Sequence, residues 1–265
     1  MYDFAYHRPI SLTEALTRLE AAPEPALLAG GMTLIPVLKQ RLAMHSDLID
    51  LSGIEELRGI RDDGEALVIG AMTEHAAVAG SALVRARIPA LAQLADAVGD
   101  PQVRNRGTMG GSIANNDPAA DYPAGLLGLG ATITTDRREI PADDFFTGLF
   151  ETALEEAEII TAVSFPVPEQ AGYVKFPQPA SRFALVGVFA TMGPAGTRVA
   201  VTGAGPCVFR VLEMETALSA DFSPKVLSGI PMDPEGLNSD IHAGADYRAH
   251  LVTILAARAV AGAVF

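Results

Sequence analysis

The sequence predicts an α+β fold, and three observations carry that expectation. Apolar runs of strand length fall in clusters rather than in strict alternation with helices. Two turn sequences, Asp63-Gly64 and Gly193-Pro194-Ala195-Gly196, each lie between such runs, as hairpin turns do. The chain has 265 residues, 49% hydrophobic and 19% charged, which is the composition of an ordered protein. That length is enough for one large domain or two smaller ones.

From the N-terminus, Ser11 followed three residues later by Glu14 marks a helix start. The apolar run 26–29 reads as a buried strand that enters Gly30-Gly31. Residues 34–42 are amphipathic, with Pro36 early enough for a first helical turn, and 48–51 is strand-like. Residues 60–70 form a hairpin turning at Asp63-Gly64, and Thr73 is placed to cap the helix after it. Apolar spacing predicts a helix over 88–98, ended by Gly99. A loop-rich stretch, 100–121, precedes expected strands at 126–135 and 159–165. The segment 166–172, with Pro166 and Pro168, reads as a linker, so a domain boundary is expected near 168. Beyond it, strands are expected at 183–191 and 198–202 and helices at 209–218 and 247–260.

The formal net charge of −13 disfavours nucleic acid and anionic lipid as partners, since no Lys/Arg run offsets it. An anionic ligand must then be held by local backbone dipoles. The one cysteine, Cys207, cannot form an internal disulfide and cannot alone hold an iron–sulfur cluster or thiolate zinc site. His7, His45, His75, His242 and His250 are scattered without ligand spacing and read as surface or capping residues. Asp143-Asp144 and Glu155-Glu156 read as solvated faces, and no residue is singled out as catalytic. The first residues lack a basic region followed by an apolar run. The apolar stretch 251–265 includes Arg258 and is shorter than the ~20 residues a bilayer requires. A cytoplasmic protein with no membrane span is therefore expected. The apolar tail packs either in its own core or on a partner.

Two glycine loops carry the chemistry. In Ala29-Gly30-Gly31-Met32-Thr33, between strand and helix, paired glycines let the backbone approach a ligand. The helix start beyond offers free N–H groups and a favourable dipole, and Thr33 adds a hydroxyl, a donor set suited to a diphosphate. Neither standard nucleotide fingerprint is present. The second loop, from Arg104 to Asp121, contains Gly107, Thr108, Gly110, Gly111, Ser112, Asn115 and Asn116. Its glycines are expected to expose more backbone donors, with Asp117 or Asp121 accepting from sugar hydroxyls. Asp117-Pro118 also makes a helix start. Arg104 and Arg106 read equally as phosphate ligands or surface anchors.

The motif Ala29-Gly30-Gly31-x-Thr33-Leu34-x-Pro36, together with Arg104-Asn105-Arg106-Gly107-Thr108-x-Gly110-Gly111-Ser112-x-Ala114-Asn115-x-Asp117-Pro118-Ala119-Ala120-Asp121, resembles the FAD-binding medium subunit of molybdenum hydroxylases, the group of carbon monoxide dehydrogenase and xanthine dehydrogenase. Ile69-Gly70-Ala71-Met72-Thr73, residues 183–188 and residues 240–248 extend the resemblance over nearly the whole chain. It implies a vanillyl-alcohol-oxidase-type FAD-binding domain of two α/β subdomains over 1–168, then a small C-terminal α/β domain over 169–265. By resemblance, Ala29, Gly30, Gly31, Met32 and Thr33 grip the FAD diphosphate with Thr108, Gly110, Gly111, Ser112 and Asn115. Asp121 is placed near the FAD sugar chain, and Lys175 matches a lysine that touches flavin in relatives. Phe183 stands where some relatives have a tyrosine.

The resemblance further implies an electron-transfer subunit. Electrons would come from [2Fe-2S] clusters on a small subunit, fed by a molybdopterin-bearing large subunit, and would leave through FAD to an external acceptor. The implied assembly is a dimer of heterotrimers. A self-contained flavin oxidase or reductase of this fold, and a scaffold subunit without flavin, are the competing readings. The C-terminal part of under 100 residues disfavours the first of these, and the intact loops disfavour the second.

Overall fold

The computed structural model describes residues 1–263. Its first unit is β1 (Ala5–His7), α1 (Leu12–Ala21), β2 (Pro25–Leu28), α2 (Leu34–Lys39) and β3 (Asp47–Asp50). The three strands pair in parallel in the order β1-β3-β2. Strands and helices therefore alternate strictly over these first residues, although not over the rest of the chain. Ser11 caps α1 by accepting from the Glu14 N–H, as its sequence predicts.

The second unit opens with the hairpin β4 (Ile60–Asp62) and β5 (Ala66–Gly70). Helices α3 (His75–Gly80), α4 (Ala82–Arg87), α5 (Pro89–Asp96), α6 (Pro101–Arg104), α7 (Met109–Asn115) and α8 (Tyr122–Leu129) follow. Next come β6 (Thr132–Thr135), β7 (Glu139–Pro141), α9 (Ala142–Phe145), a small hairpin of β8 (Phe146–Gly148) and β9 (Glu151–Thr152), and β10 (Ile160–Pro166). The sheet order is β4-β5-β10-β6-β7, antiparallel throughout.

The third unit is the antiparallel meander β11 (Gln170–Pro177), β12 (Ala184–Gly193), β13 (Gly196–Thr202) and β14 (Phe209–Arg210), with α10 (Leu212–Ala220) and α11 (Ala245–Ala261). Leu251, Val252, Leu255, Ala256 and Ala259 of α11 are buried in a core shared with Val186, Val188 and Val201 of the sheet. The apolar C-terminal helix thus packs in its own domain up to Ala261. Val264 and Phe265 lie outside the described residues.

Several expectations are corrected. The run from 126, read as a strand, is the second half of α8 up to Leu129, and β6 starts only at Thr132. Every residue of α8 is buried, so it has no polar face and no visible helical period. Gly125 and Gly128 let it approach closely: a Cβ at Gly128 would lie 2.8 Å from the Phe189 ring. Thr73 does not cap α3. Glu74 holds the cap position, and the Thr73 hydroxyl bonds instead to the N–H and carbonyl of Gly59. Asp117-Pro118 does not start a helix. The Asp117 carboxylate folds back to accept from the Ala119 N–H, and α8 begins at Tyr122. Residues 209–210 extend the sheet, and α10 starts at Leu212. Within 100–121, α6 and α7 take up part of what the sequence presents as loop.

The third unit also clamps the second. The Thr202 hydroxyl donates to the carbonyls of Pro118 and Ala120, and the Gly203 and Ala184 N–H groups donate to Pro118 and Ala119. Arg198 donates to the Leu127 carbonyl and pairs with Asp143. Asp143 is therefore an anchor between units rather than a free solvated charge.

Candidate functional site

The first and second units, joined by Ser181, Arg182 and Phe183 of the third, enclose a cleft of about 590 Å³. Its walls include Ala29, Gly30, Gly31, Met32 and Thr33 from the first loop, and Thr108, Gly110, Gly111, Ser112 and Asn115 from the second. Asp121 lines it as well. Lys175 does not.

Glycine lets the loops touch. A Cβ on Gly30 would stand 2.0 Å from the Arg106 carbonyl oxygen and 2.8 Å from Gly107 Cα, so the two backbones cross with no room for a methyl group. A Cβ on Gly111 would meet Ala29 Cβ at 3.2 Å and the Thr108 hydroxyl at 3.0 Å. Gly31 adopts φ +74°, a left-handed conformation that turns the chain from β2 toward α2.

The donors are distributed less evenly than the sequence suggests. Among the described residues, the backbone N–H groups from Gly30 to Leu34 have no hydrogen-bond acceptor. They form a run of open donors at the start of α2. The second loop differs. Gly110 N–H donates to the Ala71 carbonyl at 2.8 Å and Gly111 N–H to the Thr108 hydroxyl at 3.2 Å. Met109 and Ser112 N–H groups are taken by the Thr73 and Thr108 carbonyls. The expectation that these glycines expose free donors is thus corrected: they serve close packing against Ala71 and Ala29. Ser112 and Asn115 of that loop line the cleft.

Three carboxylates line the cleft. Glu158 accepts two hydrogen bonds from Arg138, which hold its pKa down at about 2. Asp121 is buried; its carboxylate accepts from the Tyr173 hydroxyl and, at 2.9 Å, from Lys175 Nζ. Burial pushes its pKa upward despite the pull of Lys175 and Tyr173. Asp117 is raised by burial too, and the only hydrogen-bond partner of its carboxylate among the described residues is the Ala119 N–H. Of the two aspartates read as sugar-hydroxyl acceptors, Asp117 therefore has the freer carboxylate. Lys175 Nζ is engaged by Asp121 and by the Ala97 carbonyl at 2.9 Å, so it meets the cleft through Asp121 rather than directly.

Arg104 bonds the Val98 and Gly99 carbonyls and resolves as an anchor. His75, read as surface or capping, is buried at 4% exposure and lines the cleft. The sequence gives no signal for it beyond its place after Met72-Thr73-Glu74. Among the described residues, no His, Cys, Asp or Glu cluster could hold a metal ion, and no helix is long and apolar enough to cross a membrane.

Comparison with known proteins agrees with this geometry. Residues 2–168 match the family model described as the FAD binding domain in molybdopterin dehydrogenase. The chain is 40% identical over 220 residues, 78% of its length and 77% of the relative's, to the carbon monoxide dehydrogenase medium chain of Hydrogenophaga pseudoflava. It is 34% identical to the nicotine 6-hydroxylase medium subunit of Paenarthrobacter nicotinovorans, covering 96% of this chain and 95% of that one. The solved structure of reconstituted CO dehydrogenase from Oligotropha carboxidovorans superposes with a TM-score of 0.89 at 32% identity, over 98% of this chain and 97% of that one. Paired glycine loops, an open row of main-chain donors and these likenesses converge: the chain belongs to the family of FAD-binding medium subunits of molybdenum hydroxylases.

Proposed function

We propose that the chain is the FAD-holding, electron-transferring subunit of a molybdenum hydroxylase complex, with FAD lying in the cleft between its first and second units. The carrying observation is the crossing of Gly30 over the Arg106–Gly107 backbone, which sets the second loop beneath the open N–H run from Gly30 to Leu34. Bound FAD would supply the redox chemistry, since a flavin exchanges electrons singly or in pairs. The protein supplies position and field. The N–H run and the α2 dipole suit the diphosphate. Thr33, Ser112 and Asn115 add side-chain donors, and Asp117 an acceptor for sugar hydroxyls. Asp121, held by Tyr173 and Lys175, fixes the wall where the third unit joins.

Residues 1–168 constitute the FAD-binding domain in this reading, and 169–265 a C-terminal domain that braces the cleft. The partners are a large molybdopterin subunit and a small iron–sulfur subunit, in a dimer of heterotrimers in the cytoplasm. Relatives named as the medium chain of a dehydrogenase and the medium subunit of a hydroxylase support a place in a multi-subunit complex.

Gly111→Val tests the cleft assignment. Its branched side chain must displace Ala29, and with it the first loop, from the second. FAD affinity is expected to fall at least about tenfold. Flavin absorbance per polypeptide should drop while far-ultraviolet circular dichroism stays native. Full flavin occupancy in the variant would count against this placement of FAD.

A further inference from the structure

The cleft wall holds a buried polar side chain to which the diphosphate cradle gives no task. His75 opens α3, and its backbone N–H donates to the Gly107 carbonyl at 3.0 Å, tying it to the second loop. Its Nδ1 is sealed from solvent and has no hydrogen-bond partner. Nε2 is not sealed in this way, and the residue lines the cleft. The Nε2 edge lies against Gly107: a Cβ there would come within 2.6 Å of Nε2. Gly107 is also where Gly30 crosses, so this one glycine adjoins both the ring and the first loop. No protein acceptor or donor for Nε2 occurs among the described residues. On its other side the ring packs on Tyr122, with centroids 5.2 Å apart, and the Tyr122 hydroxyl is likewise buried and unpartnered. Burial foremost, then the positive charge of Arg104, hold the imidazole pKa down at about 4, while Glu74 pulls the other way. At neutral pH it therefore keeps one N–H donor and one bare acceptor nitrogen.

Buried polar groups are nearly always satisfied, and an unmet one is costly. The sealed Nδ1 is out of a ligand's reach, whereas Nε2 is neither sealed nor hydrogen-bonded within the described residues, which leaves a ligand in the cleft as its available partner. We propose that His75 is a cofactor-binding residue whose Nε2 edge hydrogen-bonds FAD beside the Gly30–Gly107 crossing, on the diphosphate side of the cleft. This rests on the reading of the cleft as the FAD site. The interaction adds a buried ring nitrogen to the backbone and side-chain donors already assigned to the cradle.

The test uses the full chain stripped of FAD. His75→Leu removes both nitrogens at similar size, and His75→Gln retains a donor. FAD and ADP, which share the diphosphate, are titrated by fluorescence and calorimetry. His75→Leu should weaken both ligands about tenfold, the worth of one hydrogen bond, and His75→Gln should recover most of that loss. The flavin-free His75→Leu protein should melt at or above the wild-type temperature, because an unmet buried group is gone. Unchanged ligand affinity with a lowered melting temperature would overturn the proposal and assign His75 a purely structural role. As a check that needs no variant, nitrogen-15 NMR of the wild type should show the His75 Nε2 resonance moving on FAD addition. FAD binding with that resonance unmoved would refute this inference alone, whereas failure to bind FAD would refute the underlying reading.

Discussion

Gly30→Ala is expected to yield a protein that purifies without flavin. The added methyl group would lie 2.0 Å from the Arg106 carbonyl oxygen, 2.7 Å from its carbon and 2.8 Å from Gly107 Cα. All three are backbone atoms, so no rotamer change can make room. One loop must lift off the other, and the open N–H run moves with it. Overpacking of this kind costs about 1–3 kcal/mol or more, and here the distortion falls on the proposed ligand site. An affinity loss of about 100-fold or greater follows if some 3 kcal/mol is taken from FAD binding. The antiparallel sheet and the C-terminal meander lie behind the loops and should keep their circular dichroism. Gly111→Ala provides the graded control. Its new Cβ meets only the Ala29 methyl at 3.2 Å and the Thr108 hydroxyl at 3.0 Å, both of which are side chains. Flavin-to-protein absorbance ratios should therefore rank wild type above Gly111→Ala, and that above Gly30→Ala. The reverse order of the two variants would mean that the crossing of the loops does not shape the site.

What was legible in the sequence follows from how local each cause is. The glycine loops are readable because close backbone approach leaves its mark on the residue itself. The cap of α1 is equally local, since the Ser11 hydroxyl accepts from the Glu14 N–H within one turn. Helix α8 was not readable, because burial on every side erases the polar face that would reveal a helical period. The second loop shows the limit of reading glycines as donors. Nothing local says that the Gly110 N–H is spent on Ala71, a residue on another segment. His75 was missed for the same reason, as its burial is imposed by Gly107 and Tyr122 from elsewhere in the chain. The role of Lys175 depends on an ion pair 54 positions away in the chain, across the boundary between the second and third units.

That ion pair carries the second large effect. Lys175→Met is expected to be the more destabilising of the charge deletions, and its cost should depend on pH. The two side chains are 6% and 5% exposed, so deleting the ammonium group leaves a buried carboxylate with the Tyr173 hydroxyl as its remaining side-chain donor. Breaking a buried pair in this way typically costs about 3–5 kcal/mol. The folded chain has one escape, which is to protonate Asp121. Burial already raises that carboxyl above its usual 3.8 while Lys175 holds it down, so removing Lys175 must raise it further. A carboxyl whose folded pKa exceeds its unfolded value binds its proton more tightly in the native state. Its favourable contribution is present at low pH and is lost as pH rises through the folded pKa. The deficit of Lys175→Met should therefore be greatest near pH 8 and shrink as the pH is lowered toward 5, measured as the difference from wild type in urea unfolding. Adding Asp121→Asn to Lys175→Met removes the stranded charge, so the double variant should recover most of the deficit and flatten its pH dependence. A single-variant deficit that stays constant between pH 8 and pH 5 would show that Lys175 contributes packing rather than charge. Asp121 lines the cleft and Lys175 does not, so any accompanying change in flavin affinity should follow the state of the carboxylate. Lowering the pH should then bring stability and flavin binding back toward wild type together in the single variant, and should leave both nearly unchanged in the double.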